Sequence, residues 1–330
     1  MNTDAHFFEG AEKLFEVWFD SRDCADVKSL RCIPRFEWDS LLDVAHCQII
    51  SVASSEMMDA YVLSESSMFV SDTRFILKTC GTTRLLDTVP MLLDLAKTYC
   101  GLTQVMNVYY SRKNFVRPEL QHSIHSSFEV EVDFLDQFFQ NGTAYCIGSL
   151  KQDRWYLYTL NPPPAPLPQA DHTLEILMQD LDSSVCGAFT QQISSSSVKA
   201  RKLAGIDKLM PLGTIIDDKL FEPCGYSMNG LLPNSENYVT IHITPEEDFS
   251  YCSFETNQDE LVLFEQTCRV LETFKPGRFL MTVFANKVSS CGRQGQHELW
   301  DRELPGYRRL DVQFLRLPED TLVYAQFKKI

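Results

Sequence analysis

The chain has 330 residues, 44% of them hydrophobic and 22 of them Phe, enough to bury a sizeable core in one large domain or two. Its 30 basic and 45 acidic residues leave a formal charge of −15, which argues against nucleic acid and would suit a cationic ligand, although most of it reads as solubility. Met1–Gly10 has neither a basic segment nor an apolar core, and no apolar run approaches a membrane span, so neither a signal peptide nor a membrane is expected. Eleven irregularly spaced cysteines point to the reducing cytosol, without disulfides and without zinc spacing.

In chain order, Glu9 to Phe19 reads as a helix, with Leu14, Phe15 and Trp18 on one face and Glu9, Glu12 and Glu16 on the other. A second helix runs from Pro34 to Asp43, with Pro in its first turn. Cys47–Val52, Ala60–Leu63, Ser67–Val70 and Arg74–Thr79 are short β-branched or aromatic runs separated by polar turns, as in a meander. Thr83 to Cys100 has helical spacing. Asn141-Gly142-Thr143 matches a glycosylation acceptor and reads as a turn. Further strands are expected at Trp155–Leu160, Leu174–Gln179, Tyr238–Ile243, Tyr251–Phe254 and Phe279–Phe284, with a helix from Glu260 to Phe274 and strands closing the chain. Grouped strands with helices between the groups favour an antiparallel α+β architecture. Pro162-Pro163-Pro164-Ala165-Pro166 is the clearest linker, and Ser194 to Ser197 reads as an exposed loop.

The most informative stretch is Leu63-Ser64-Glu65-Ser66-Ser67-Met68, followed by Phe69-Val70. Alone it is a turn or strand end, because short hydroxylated residues favour such positions. Its company changes that reading: Phe7-Phe8-Glu9-Gly10, Lys78-Thr79-Cys80-Gly81-Thr82-Thr83, Pro223-Cys224-Gly225-Tyr226-Ser227-Met228-Asn229-Gly230 and Ile241-His242-Ile243-Thr244-Pro245-Glu246. In that order these segments resemble the eukaryotic S-adenosylmethionine decarboxylases, pyruvoyl enzymes of polyamine synthesis. The resemblance runs from His6 to about Phe284 and returns weakly at the C-terminus.

The resemblance implies one domain folded as a four-layer αββα sandwich, with similar halves at about 1–160 and 170–330. It also implies self-cleavage between Glu65 and Ser66 into a β chain, 1–65, and an α chain, 66–330. Ser66 would become the pyruvoyl cofactor, a ketone that serves as the electron sink for decarboxylation. The processing roles fall on Ser227 and His242, which alone would be a hydroxyl in a Gly-rich turn and a satisfied strand histidine. Cys80 matches the proton donor, for which a thiol protonated at neutral pH is suited.

Phe8 and Phe221 match the pair that stacks on adenine, Glu246 the ribose ligand, Glu65 a substrate contact, and Glu9 and Glu12 the acidic active-site residues. A putrescine activator would sit among Glu16, Lys78, Ser111, Asp171, Thr173, Glu175, Glu255 and Phe284, a gathering of carboxylates that a diamine would neutralise. Departures from the family are Tyr109 for an aromatic that is Phe in animals, the stretch from Lys287 to Leu304, and a late tyrosine replaced within Pro318-Glu319-Asp320. A dimer of αβ protomers is the family's assembly. The competing readings are a catalytically weak paralogue that regulates an active partner, and a self-cleaving hydrolase with an N-terminal serine.

Overall fold

The computed structural model describes residues 9–22, 27–167, 169–246, 249–258 and 262–330. Phe8, and the first residues of the helix expected from Glu260, lie outside them. The chain divides into an N-terminal unit, Ala11–Ile147 with Arg154–Leu167, and a C-terminal unit, Met1–Gly10, Gly148–Asp153 and Pro168–Ile330. The proline run lies between the last strand of the first unit and the first strand of the second.

The N-terminal unit is an eight-stranded antiparallel sheet of β1 (Lys13–Asp20), β2 (Ile49–Ser54), β3 (Asp59–Leu63), β4 (Ser66–Val70), β5 (Arg74–Thr79), β6 (Gln104–Lys113), β7 (Gly142–Ile147) and β8 (Trp155–Leu160), in the order β2-β3-β4-β5-β1-β6-β8-β7. Helices α1 (Arg35–Ala45), α2 (Val89–Cys100) and α3 (Phe128–Leu135) cover one face, where Trp38, Leu41, Leu92 and Phe128 pack with Phe15, Val17, Phe75 and Val108.

The C-terminal unit repeats the plan. Its strands are β9 (His172–Leu181), β10 (Ile215–Leu220), β11 (Tyr226–Leu231), β12 (Tyr238–Thr244), β13 (Tyr251–Thr256), β14 (Pro276–Asn286), β15 (Tyr307–Arg316) and β16 (Asp320–Lys329), ordered β10-β11-β12-β13-β9-β14-β16-β15. Counted from β9, that is the order of the first sheet strand for strand. Helices α4 (Ser183–Ala188), α5 (Ser197–Ala204), α6 (Leu263–Phe274) and α7 (Ser290–Asp301) accompany it, with Val185, Ala200, Val270, Phe274 and Leu299 joined to Ile176, Met178 and Met281 in one core. Each unit thus supplies one sheet and one helical layer, the two layers that each half of an αββα sandwich requires.

Most expected elements stand where the residue pattern places them, but the helix from Glu9 to Phe19 does not form. Lys13–Asp20 is instead β1, paired on one side with β5 and on the other with β6. A central strand buried on both faces reads as a near-continuous apolar run, which fits helical spacing as well as strand spacing. Phe15, Val17 and Phe19 face the helices, and Leu14, Glu16 and Trp18 fall on the opposite face, so Glu9, Glu12 and Glu16 do not share a helical stripe. The loop expected at Ser194 to Ser197 forms, with Ser195 and Ser196 exposed, but it is anchored at both ends and Ser197 already begins α5. Ser194 is buried with its hydroxyl donating to Ala188 O at 2.7 Å, and Ser196 caps α5.

Charge is buried in the N-terminal core, and its pairing shows how. Glu131 of α3 accepts from Arg112 Nε at 2.8 Å and from the Tyr110 hydroxyl at 2.6 Å. The Leu86 amide donates to His125 Nε2, so His125 Nδ1 carries the proton and donates to Glu131 at 2.7 Å. Burial holds His125 below its ordinary range, which keeps the ring neutral. The Arg112 guanidinium lies 4.1 Å from the centre of the Phe115 ring and 4.8 Å from that of Tyr156. Glu131→Ala would strand a buried guanidinium, and an unfolding free-energy loss of about 3–5 kcal/mol is expected in denaturant titration. A loss below about 1 kcal/mol would refute this account of the core.

Candidate active site

Ser64 and Glu65 form a two-residue turn between β3 and β4, with Leu63 paired to Ser66 and Ser66 paired in turn to Thr79 of β5. Such turns match the twist of their strands by adopting positive φ, usually at Gly, Asn or Asp. Neither central residue here is of that kind, and neither has positive φ. The positive angle falls instead on Ser66, at 138°. A non-glycine residue held there stores on the order of 1–3 kcal/mol. The strain therefore sits on the residue whose nitrogen belongs to the Glu65–Ser66 peptide bond.

Both sides of that bond are held. The Glu65 carbonyl accepts the Cys80 amide at 2.9 Å and the Cys80 thiol at 3.4 Å. The Ser66 hydroxyl donates to Glu12 Oε1 at 3.0 Å, while Glu12 Oε2 lies 3.4 Å from the Lys78 ammonium. Ser66, Glu12 and Lys78 are all buried. Cys80 begins a turn in which the Thr83 hydroxyl sits 2.8 Å from both Cys80 O and Thr79 Oγ1, and Lys13 Nζ donates to Gly81 O at 3.0 Å. Burial pushes the Cys80 thiol well above its ordinary value, reinforced by Glu65, Glu12 and Cys47 and opposed by Lys13. Burial also raises the Glu65 carboxyl, against its hydrogen bond from Cys80 and the charge of Lys13. The arrangement combines a strained amide, a polarised carbonyl, a hydroxyl on a carboxylate and a protonated thiol.

The C-terminal unit carries a second constellation. Ser227 of β11 and His242 of β12 face each other in register, with His242 Nδ1 2.9 Å from the Ser227 hydroxyl. Thr240 donates to Asn229 Oδ1 at 3.0 Å and lies 2.9 Å from His242 Nε2. With the Thr240 proton committed to Asn229, Nε2–H donates to Thr240, and the unprotonated Nδ1 accepts from the Ser227 hydroxyl. Ser227 is thus a strand residue, and the glycine-rich turn lies just before it. Phe221 N donates to Gly225 O at 2.9 Å within that turn, leaving Phe221 half-buried. Burial raises the Cys224 thiol, and so does the nearby Glu246, which places Glu246 at the same end of β11 and β12 as Phe221. Glu246 Oε2 is buried without a hydrogen-bond partner among the described residues.

The remaining candidates divide between the units. In the first, Glu16 accepts from Arg74 at 2.8 Å, and the Arg74 guanidinium lies 4.5 Å from the centre of the Trp18 ring. Ser111 pairs with Leu14, and Tyr109 with Glu16. In the second, Glu175 stands directly opposite Glu255, Thr173 opposite Phe284, and the Tyr238 hydroxyl donates to Glu255 at 2.6 Å. Asp171 and Glu9 are buried there too. Asp320, set in the segment that departs from the family, joins this acidic group. Its carboxyl is pushed up to about 7 by burial first and then by Asp171 and Glu319, against Lys287. Sequence reasoning did not single out Lys13, Arg74, Thr83, Asn229, Thr240 or Tyr238. Lys13 was legible only as a charge within the stretch expected to be a helix, and Arg74 only as the first residue of an expected strand. Among the described residues no group of three or more His, Cys, Asp or Glu is arranged to hold a metal ion, and no helix is long and apolar enough to cross a membrane.

The adenosylmethionine decarboxylase family model matches residues 5–328. An S-adenosylmethionine decarboxylase proenzyme of Caenorhabditis elegans is 56% identical over 327 residues, covering 98% of this chain and 89% of that one. Its counterpart in Xenopus laevis is 48% identical over 328 residues, 99% of this chain and 96% of that one. The crystal structure of the Trypanosoma brucei AdoMetDC-delta26 monomer aligns with a TM-score of 0.61 at 27% identity, covering 80% of this chain and 99% of that one. The chain belongs to the adenosylmethionine decarboxylase family.

Proposed function

We propose that this chain is a self-processing decarboxylase of S-adenosylmethionine that builds a pyruvoyl group from Ser66, acting in the cytosol to supply decarboxylated S-adenosylmethionine for spermidine and spermine. The observation that carries this reading is the strained φ of Ser66, with its hydroxyl on Glu12 and the adjoining carbonyl on the Cys80 amide. Ser66 Oγ attacks the Glu65 carbonyl carbon as Glu12 draws off its proton, and the Cys80 N–H stabilises the oxyanion. The C–N bond breaks to leave an ester and a free Ser66 nitrogen, which relieves the backbone strain. The family resemblance assigns removal of the Ser66 α-proton to His242, with Ser227 as its hydrogen-bond partner. The Glu65 carboxylate then departs, and hydrolysis of the dehydroalanine releases ammonia, leaving chains 1–65 and 66–330 within the one domain.

The residues fit the group: when substrate is bound, the pyruvoyl ketone supplies an electron sink for loss of carbon dioxide. Cys80, held protonated by its surroundings, delivers a proton to the substrate α-carbon. Phe8 and Phe221 stack on adenine, the unpartnered oxygen of Glu246 takes a ribose hydroxyl, and Glu65, Glu9 and Glu12 line the acidic site. The family resemblance carries putrescine ligation over to Glu16, Lys78 and Ser111 in the first unit and to Asp171, Thr173, Glu175, Glu255 and Phe284 in the second, and a dimer of αβ protomers as the assembly.

Intact mass and terminal chemistry test this directly. Wild-type protein should give two chains, the larger blocked to Edman degradation and reducible by cyanoborohydride with substrate. Ser66→Ala should stay whole. An unmodified, sequenceable Ser66 in active protein would end the reading. His242→Ala should stall as a hydroxylamine-sensitive ester, whereas Cys80→Ala should cleave yet decarboxylate at least about tenfold more slowly.

Putrescine should raise turnover. Because Asp320 ionises at about 7, the dication gains a carboxylate partner above that pH. The half-saturating putrescine concentration should therefore fall severalfold from pH 6 to pH 8, and Asp320→Asn should flatten the dependence. Turnover that is indifferent to putrescine at both pH values would remove the activator site.

A further inference from the structure

Lys13 opens β1 as a fully buried ammonium. It belongs to a cross-strand row that leads to the reacting residue. Arg112 of β6 pairs with Lys13, Lys13 with Thr79 of β5, and Thr79 with Ser66 of β4. Two buried cations directly opposite each other are unfavourable, and Arg112 is compensated by Glu131 at 2.8 Å. Lys13 turns the other way, donating to Gly81 O at 3.0 Å and reaching Gln121 Oε1 at 3.4 Å, with the centre of the Phe115 ring 5.3 Å away. Gly81 follows Cys80, and its φ of 61° makes the turn that aims the Cys80 amide and thiol at Glu65 O.

We infer that Lys13 is a positioning residue for the proposed proton donor, clamping the Cys80–Gly81 turn through the Gly81 carbonyl and holding a buried ammonium charge against that turn. The inference rests on the reading of Cys80 as that donor. Two effects support each other. The hydrogen bond fixes the turn from the side opposite to Thr83, which bonds Cys80 O. The charge acts against everything else around the thiol. Burial, Glu65, Glu12 and Cys47 all push Cys80 upward, and Lys13 pulls it back. An acid far above the working pH transfers its proton slowly, so a buried cation beside the donor raises its efficiency. Lys13 acts in the same direction on Glu65 and Cys47.

The test uses the full processed enzyme and reads Cys80 apart from turnover. The pH dependence of iodoacetamide alkylation at Cys80, followed by peptide mass spectrometry, is compared for wild type, Lys13→Met, Lys13→Gln and Lys13→Arg. Loss of the charge in the Met and Gln variants should move the alkylation midpoint up by about one pH unit, and Arg should restore most of it. Decarboxylation kcat should fall about tenfold in Lys13→Met with little change in KM, and the Gln variant, which keeps a donor for Gly81 O, should lose less. If Lys13→Met does not yield soluble protein, the Gln and Arg variants carry the comparison. An unmoved alkylation midpoint in the charge-neutral variants overturns the inference, whether or not kcat falls. Full decarboxylation by Cys80→Ala would instead refute the donor reading and leave the alkylation result to stand by itself.

Discussion

The pairing of β4 between β3 and β5 leaves Ser66 no room to relax. Leu63 fixes it from one side and Thr79 from the other, while only two residues, Ser64 and Glu65, turn the chain. A hairpin this tight requires positive φ near the turn, and with no glycine in it the requirement falls on a serine. The same pairing brings the Cys80 amide, one residue beyond β5, onto the Glu65 carbonyl. Strain, carbonyl polarisation and the position of the thiol thus follow from one register, and a slip by one residue would remove all three together.

Burying that register among the withdrawn strands of the sheet imposes a second constraint. Glu12, Glu16, Lys13, Arg74, Lys78 and Arg112 are all withdrawn from water. Charges in such places gain little net stability even when paired, because desolvation offsets the attraction. Their pairings serve geometry: Lys78 against Glu12, Arg74 against Glu16, and Arg112 against Glu131. The C-terminal sheet, built to the same strand order, also centres on a strand with a glutamate facing away from the helices. There Glu175 lies opposite Glu255 in the register.

Legibility varied with how local the deciding interactions are. Helix α1 was readable because Pro34 marks its start and Trp38, Leu41 and Leu42 repeat with helical spacing. The meander β2 to β5 was readable because polar turns separate its apolar runs. β6 was hidden by Asn107, Ser111 and Arg112, buried polar residues that break the apolar pattern of a strand covered on both sides. α7 was hidden by Gly292 and Gly295, poor helix formers. A Cβ at Gly292 would come within 2.6 Å of the Ala285 Cβ, and one at Gly295 within 2.8 Å of the Leu263 Cβ, so close packing rather than propensity selects them. In the site, the motif residues were legible, while the lateral support Lys13 was not. Its partners Gly81 and Gln121 lie 68 and 108 residues away in the chain.

The order of residues by itself determined the family resemblance, the bond at Glu65–Ser66, and most strands, because these depend on contiguous side chains. It could not distinguish a buried strand from a helix at Lys13–Asp20, since apolar residues on both sides of Glu16 fit either spacing. Tertiary structure decided that question through hydrogen bonds to β5 and β6, 50 to 100 residues away. It also decided that the positive backbone angle falls on Ser66, that His242 Nδ1 meets the Ser227 hydroxyl, and that Lys13 reaches Gly81. Each of these is a matter of register between distant segments, and register exists only once the sheet has closed.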